Sequence, residues 1–396
     1  MRRALFAIVL AATASPAAAQ PAPWAPERFT AGWVFTPSIV FGGLYDTNPT
    51  IRQTGNPISG EMVGLLSPRG EIDFNGRRAK FNAGYSGTLE AYRELDELTR
   101  YDQRGRFDAR YQMTPRLLFQ TRHQLTLTPT TDQLDIEGLP FTRVGSRMAT
   151  SSGGFRFDLT PRLSMITDYM FQWVSFDRGE RLDEFRFLRG GYAHSPTAEI
   201  EYALGRRFKV GALYLYRYTV IDAGEEVVGT HRAQGTVQYV AGPSTSIHGR
   251  AGFDHLAVAD TTDARTGPSF GGGITQRIGE AALNVSYERA FVPSFGFGAL
   301  TAHQVLRAGT NIPFAGGRAF VGGGVTYRRS DPVILRDVLV QLDSVWTQVV
   351  GGYSVARWLR IEGFVNVNHQ VSSARGNVER TRVGIQFVTS KPVRIQ

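Results

Sequence analysis

The residues of this chain that could do chemistry are arginines and carboxylates, recurring at every second position. Arg69, Arg104, Arg106, Arg110, Arg122, Arg156, Arg250, Arg277, Arg328, Arg360 and Arg382 share one parity of alternating stretches with Glu71, Asp73, Glu90, Asp102, Asp108, Asp158, Asp254, Glu288 and Glu362. A period of two places them all on one face of a sheet. Rings of charge around a pore set its selectivity, so such a face, with Arg in slight excess, would favour polar or anionic solutes. The same charges, paired across neighbouring strands, would simply brace a polar wall. Tyr92, Phe320, Trp346 and Phe364 fall on this face too, either as filling or as rings along which a sugar could slide.

Catalytic and metal chemistry find little support. His123, His194, His231, His248, His255, His303 and His369 are scattered, and none shares a short motif with a Ser nucleophile. By parity, His123 and His255 fall on the apolar face, which points to a bulge or an interfacial position. Asp132/Asp135/Glu137, Glu180/Asp183/Glu184 and Glu225/Glu226 lack calcium-loop spacing and read as solvated loop charge. The absence of Cys excludes disulfides and thiolate sites. Gly271–Gly273 and Gly322–Gly324 have no helix after them and so are not phosphate loops; strand curvature or bulging accounts for them. No catalytic residue, cofactor or metal ligand is assigned, and the chain is expected not to be an enzyme.

The elements that must position these residues are long strands. Over Tyr101–Met113 an aromatic and apolar face alternates with Asp102, Arg104, Arg106, Asp108 and Arg110. After Thr114-Pro115-Arg116, a turn signal, a second alternating run extends to Pro129. Tyr101 and Tyr111 are ten residues apart, about 25 Å in height for a strand tilted near 40°, which matches the apolar band of a transmembrane barrel between its aromatic girdles. Phe35 and Tyr45 repeat the spacing, and Trp173 is a further girdle candidate. Tight turns near Gly76, Pro115, Pro161, Arg206, Pro243, Gly279, Gly316 and Arg357 recur roughly every 40 residues, with longer polar connections between them, as in outer-membrane barrels. A β-propeller has a similar period but needs four short strands in each repeat, whereas two long ones fit here. The count is 18 antiparallel strands, or 16 depending on whether Glu184–Leu204 contains a turn at Ser195-Pro196. Either number leaves an aqueous lumen.

The opening MRRALFAIVLAATASPAAAQ has a charged start, a short apolar run and a small-residue site, and it predicts a secretory signal peptide cleaved after Ala19. Net charge is +9, but the cations are strung along strands among acids, which argues against a nucleic-acid partner. The expected organisation is signal peptide 1–19, periplasmic segment 20–32, transmembrane barrel 33–390 and C-terminal tail 391–396.

The end of the first strand, Ser38-Ile-Val-Phe-Gly-Gly-Leu-Tyr-Asp-Thr-Asn48, resembles the β-barrel porin 2 family, as does the closing Arg382-Val-Gly-Ile-Gln-Phe-Val388. The resemblance implies an outer-membrane β-barrel, with surface-polysaccharide export as one associated role. Many outer-membrane barrels end on an aromatic residue read by the barrel-assembly machinery, whereas this chain continues past Phe387. The expectation is an all-β, up-and-down barrel in the Gram-negative outer membrane, contacting lipid and lipopolysaccharide and passing small polar solutes or polysaccharide. The alternatives are a structural or adhesive barrel acting through its loops and a barrel enzyme.

Overall fold

The computed structural model describes residues 32–395 apart from 55–58, 135, 137, 178–187, 222–225, 260, 262, 296–299, 334–340 and 374–375. The signal peptide, Ala19, most of the 20–32 segment and the acidic residues Asp135, Glu137, Glu180, Asp183, Glu184 and Glu225 lie outside the described residues. Eighteen antiparallel strands follow one another: β1 Gly32–Asp46, β2 Glu61–Asn75, β3 Ala79–Tyr92, β4 Arg100–Thr114, β5 Leu117–Thr128, β6 Gly145–Asp158, β7 Leu163–Asp177, β8 Gly191–Ala203 and β9 Phe208–Ile221. They continue as β10 Glu226–Gly242, β11 Thr245–Val258, β12 Ala264–Ile278, β13 Ala281–Pro293, β14 Leu300–Phe314, β15 Ala319–Pro332, β16 Leu342–Ala356, β17 Leu359–Ser372 and β18 Gly376–Ser390. Each pairs with the next, and β18 pairs with β1 from Ser38↔Ser390 to Asp46↔Arg382, so the sheet closes on itself. Past Pro392, a short β19 (Val393–Ile395) continues that ladder onto Trp33–Phe35.

All eight predicted turns lie on one rim, where β1 also begins, and the longer connections lie on the other. The segment that left the count at 16 or 18 is one strand, β8, running through Ser195-Pro196. Pro196 has no N–H to give, and the β8–β9 ladder skips from His194↔Tyr218 to Thr197↔Leu215 at that point. Following the register once around the barrel returns to β1 displaced by about 22 residues, which for eighteen strands corresponds to a tilt of about 42° and a backbone radius of about 17 Å. A tube of that width cannot be filled by its wall side chains.

The two faces separate by chemistry. Tyr45, Tyr101, Trp173, Tyr192 and Tyr218 stand exposed on the outer face toward the long-loop rim. Phe35 and the exposed Trp33, Tyr111, Tyr202, Phe208 and Tyr239 do so toward the short-turn rim. Ile39, Leu66, Phe107, Leu125, Ile200 and Ile385 are among the exposed apolar residues between them. This is the girdle-and-band pattern of a lipid-facing barrel. His255 lies at girdle height, bonded through Nδ1 to Thr266 Oγ1 at 2.8 Å. His123 lies nearer the middle, and its two ring nitrogens meet Thr121 Oγ1 (2.9 Å) and Ser151 Oγ (2.8 Å). No bulge is needed at either position. The register shifts occur beside short turns, at Gln112/Thr114, Val240/Gly242 and Ser354/Ala356. None falls at Gly271–Gly273 or Gly322–Gly324, which corrects the bulge reading of those glycines.

Where the wall coils tightly, some inward positions have no room for a side chain. A Cβ on Gly252 would lie 1.9 Å from the Ala233 carbonyl oxygen. Gly252→Val is therefore expected to cost about 1–3 kcal/mol through forced strand separation, read as a lower urea midpoint for folding into liposomes. Gly235→Ala, whose methyl would come no closer than 3.9 Å to the Ala251 carbonyl, should leave the midpoint unchanged.

Candidate functional site: the lumen wall and the strap across its mouth

Side chains from non-adjacent strands can meet only on the concave face of a barrel, and the charged parity meets there. Arg382 of β18 donates to Glu90 of β3, two strands away from its own neighbour β1. All sixteen predicted pore-lining residues share this inward parity. Most are braced. Arg106 pairs with Glu71 (2.5 Å), Arg122 with Asp108 (2.7 Å), and Arg156 with Asp158 (3.2 Å) and Glu201 (3.1 Å). Arg104 pairs with Asp102 (3.2 Å), Arg250 with Glu288 (2.7 Å) and Arg360 with Glu362 (2.5 Å). Asp73 accepts from Asn82 Nδ2 at 2.7 Å, and Arg328 also has a partner.

The charges that are left over separate by sector. Arg69 reaches only Ser67 Oγ (3.2 Å). Among the described residues, Arg69, Arg110 and Lys80 on β2–β4 and Arg277 on β12 have no carboxylate partner. Over β2–β4 the inward cations (Arg69, Lys80, Arg100, Arg104, Arg106 and Arg110) equal the inward carboxylates (Glu61, Glu71, Asp73, Glu90, Asp102 and Asp108) in number, so the cations without a carboxylate partner are local positive points on a wall of no net charge. The inward aromatics make no open track. Tyr92 is buried under Arg143, whose guanidinium lies 5.3 Å from the ring centre, and Phe320 is buried under Arg360 at 5.4 Å. Phe364 packs against both groups.

The connection from β5 to β6 does not stay on its own rim. The described residues of 130–144, all but 135 and 137, cross the mouth as a strap. Gln133 Oε1 accepts from Arg104 Nη2 of β4 (2.6 Å), and Gly138 O accepts from Ser294 Oγ, just beyond β13 (3.0 Å). Gln370 of β17 accepts from the Phe141 N–H (2.7 Å) and donates to Leu139 O (3.4 Å). Arg143 donates to Pro49 O (2.9 Å) and to Leu98 O in the two preceding connections. Leu134, Ile136 and Leu139 bury their side chains with Val174, Ile221 and Phe295, each contributing about 1.5–3 kcal/mol.

The strap's deepest tie is ionic. Asp132 Oδ2 accepts from Asn368 Nδ2 (3.2 Å) and from Arg380 Nη1 (2.9 Å). The rest of the Arg380 guanidinium forks onto Asp46 at 2.6–3.2 Å. All three charged groups are buried, which corrects the reading of Asp132 as solvated loop charge; Glu226, likewise, is buried in β10. A polar group so enclosed must be paired, and the fork geometry of Arg supplies both partners at once.

Asp46 belongs to the Tyr45-Asp46-Thr47-Asn48 sequence that carried the family resemblance, and its geometry explains the spacing. Asp46 Oδ1 caps the Asn48 N–H (3.1 Å). Asn48 Nδ2 donates to Arg52 O and Glu379 O (2.8 Å each), and Thr47 and Thr381 exchange hydrogen bonds (2.9 and 3.0 Å). The segment therefore fastens the first strand to the last at the loop rim and, through Arg380, holds the strap. Sequence reasoning missed Arg380. It shares parity with Arg382 two residues on, but its partners lie 334 and 248 positions away.

No family model matches the chain, and no curated protein does. Solved structures of similar outline are OccAB4 of Acinetobacter baumannii (8% identity, TM-score 0.46, covering 93% of this chain and all of that one) and OccK5 (OpdH) of Pseudomonas aeruginosa (10%, 0.46, 92% and 99%). The outer membrane protein OpdK of P. aeruginosa is another (10%, 0.45, 90% and 99%).

Proposed function

We propose that this protein is an outer-membrane channel for polar solutes, of the β-barrel porin 2 type, with a preference for anions. The single observation that carries the reading is the combination of an aromatic-girdled apolar exterior with a charged lumen too wide for its wall to fill. The strap restricts the mouth without reaching the lower wall. The sign is assigned to Arg69, Lys80 and Arg110, which have no carboxylate at ion-pair distance among the described residues. The solutes are small and polar; export of polysaccharide is a narrower reading that the strap disfavours, since a chain passing outward must cross it. Outer-membrane lipid, including lipopolysaccharide, covers the exterior, and the barrel-assembly machinery inserts the folded chain.

The test is the reversal potential across planar bilayers under a salt gradient. Wild type is expected to favour chloride over potassium, and Arg69→Glu with Arg110→Glu should move the potential toward the cation side. An unchanged potential in the double variant would remove the assigned source of selectivity. In liposome-swelling assays, uncharged sugars should enter more slowly than organic acids of equal size.

A further inference from the structure

Across the lumen from β2–β4 the wall holds a recess of ≈ 400 Å³, formed by β8 to β14 and lined by Glu199, Glu201, Lys209, Thr236, Arg250 and Glu288. The volume is in the range of small-solute pockets. Inward glycines stand on two of the strands that form it, β9 and β12. A Cβ on Gly273 would sit 2.7 Å from His248 Cε1, and one on Gly271 would sit 3.2 Å from Arg250 Nε; one on Gly211 would meet Thr236 Oγ1 at 2.6 Å. This accounts for the Gly271–Gly273 run, which has neither a bulge nor a turn: bare backbone lets His248 and Arg250 lie flat and keeps the hollow open.

The recess lining has three carboxylates (Glu199, Glu201 and Glu288) and three cations (Lys209, Arg250 and Arg307), but they are not paired one to one. Glu201 is bridged by Arg156 (3.1 Å) and Lys209 (3.7 Å), and Glu288 by Arg250 (2.7 Å) and Arg232 (3.5 Å). Arg307, also on the lining, has its own partner. Glu199 receives only the Thr236 hydroxyl, at 3.0 Å, and no cation bridges it among the described residues. The hydroxyl fixes one carboxylate oxygen and leaves the other available. A half-buried carboxylate in a polar hollow is best satisfied by a donor that brings a positive charge.

We infer that the recess is a binding station for the ammonium group of a small amine or zwitterion, with Glu199 as its counter-ion and Thr236 orienting that carboxylate. A zwitterion would be held here by its amine, with its acid end toward Lys209 and Arg250 of the same recess. The inference rests on the reading of this face as a solute-lined lumen, but its test does not require conduction. Equilibrium binding of butylamine, 4-aminobutanoate and butanoate is measured by calorimetry on the purified barrel in detergent micelles. Butylamine and 4-aminobutanoate should bind saturably and butanoate should bind elsewhere or not at all. Glu199→Gln should weaken both amines at least about tenfold, as expected for loss of a charge-assisted partner, while Glu199→Asp retains part of the affinity. Glu379→Gln, an outward-facing control, should change nothing. Equal binding of butanoate to the Glu199 site, or amine binding indifferent to Glu199→Gln in a variant that keeps the wild-type far-ultraviolet spectrum, would overturn the proposal. Failure of conductance with these results intact would count against the channel alone.

Discussion

Replacing Arg380 by Ala should lower the stability of the folded barrel by about 3–5 kcal/mol, because it strands two buried carboxylates whose only shared cation it is. Asp46 is fully enclosed and Asp132 nearly so. Without the guanidinium, Asp46 keeps only Arg382 at 3.5 Å and the Asn48 N–H, and Asp132 keeps Asn368. The comparison with Asp132→Asn separates the two parts of the network. There Arg380 still forks onto Asp46, so the seam stays closed and the loss should be smaller, about 1–2 kcal/mol for one charge-assisted hydrogen bond. Urea titration of folding into liposomes reads both. Equal losses for the two variants would mean that the seam and the strap are not held separately, contrary to the geometry.

The second large effect concerns passage through the channel. Excising residues 132–141 and rejoining the ends with a short Gly-Ser link should raise single-channel conductance at least about twofold, since the strap then no longer narrows the mouth. The wall ladder itself runs β5 to β6 without the strap, from Leu117↔Phe157 to Thr128↔Ser146, so the barrel should still form. The loss of Leu134, Ile136 and Leu139 from their cluster should appear as reduced stability and not as failure to fold. Gln370→Ala, which removes the side chain that both donates to and accepts from the strap, should give a smaller rise and a noisier open state. Unchanged conductance after excision would show that the narrowest point lies lower in the lumen.

Much of this was legible in the chain because a two-residue period is local. Asp102 to Arg110 show the inner face, Tyr101 and Tyr111 the belts, and Thr114-Pro115-Arg116 the rim, with no knowledge of distant partners. The strand count hung on Ser195-Pro196, which has the composition of a turn; β8 carries it because a proline costs the ladder only its own donor. The strap was not legible. Its Asp132 looks like any solvated loop acid until Arg380 is known to stand beneath it, and the contacts that hold it come from strands on other walls of the barrel. The Gly271–Gly273 run was recognised as special, but its reason, the space it leaves for His248 and Arg250, depends on strand pairing. Pore-lining parity was a local inference. Which lining charges stay unpaired, such as Arg69, Arg110 and Glu199, depends on neighbours one or two strands away.

We propose that this barrel holds a water-filled, charge-selective path through the membrane, and single-channel recording of the purified protein in planar bilayers tests this most directly. Discrete, ohmic conductance steps that grow on excision of residues 132–141 are the predicted result; a correctly folded barrel that inserts into the bilayer and passes no current, with or without the strap, would contradict it.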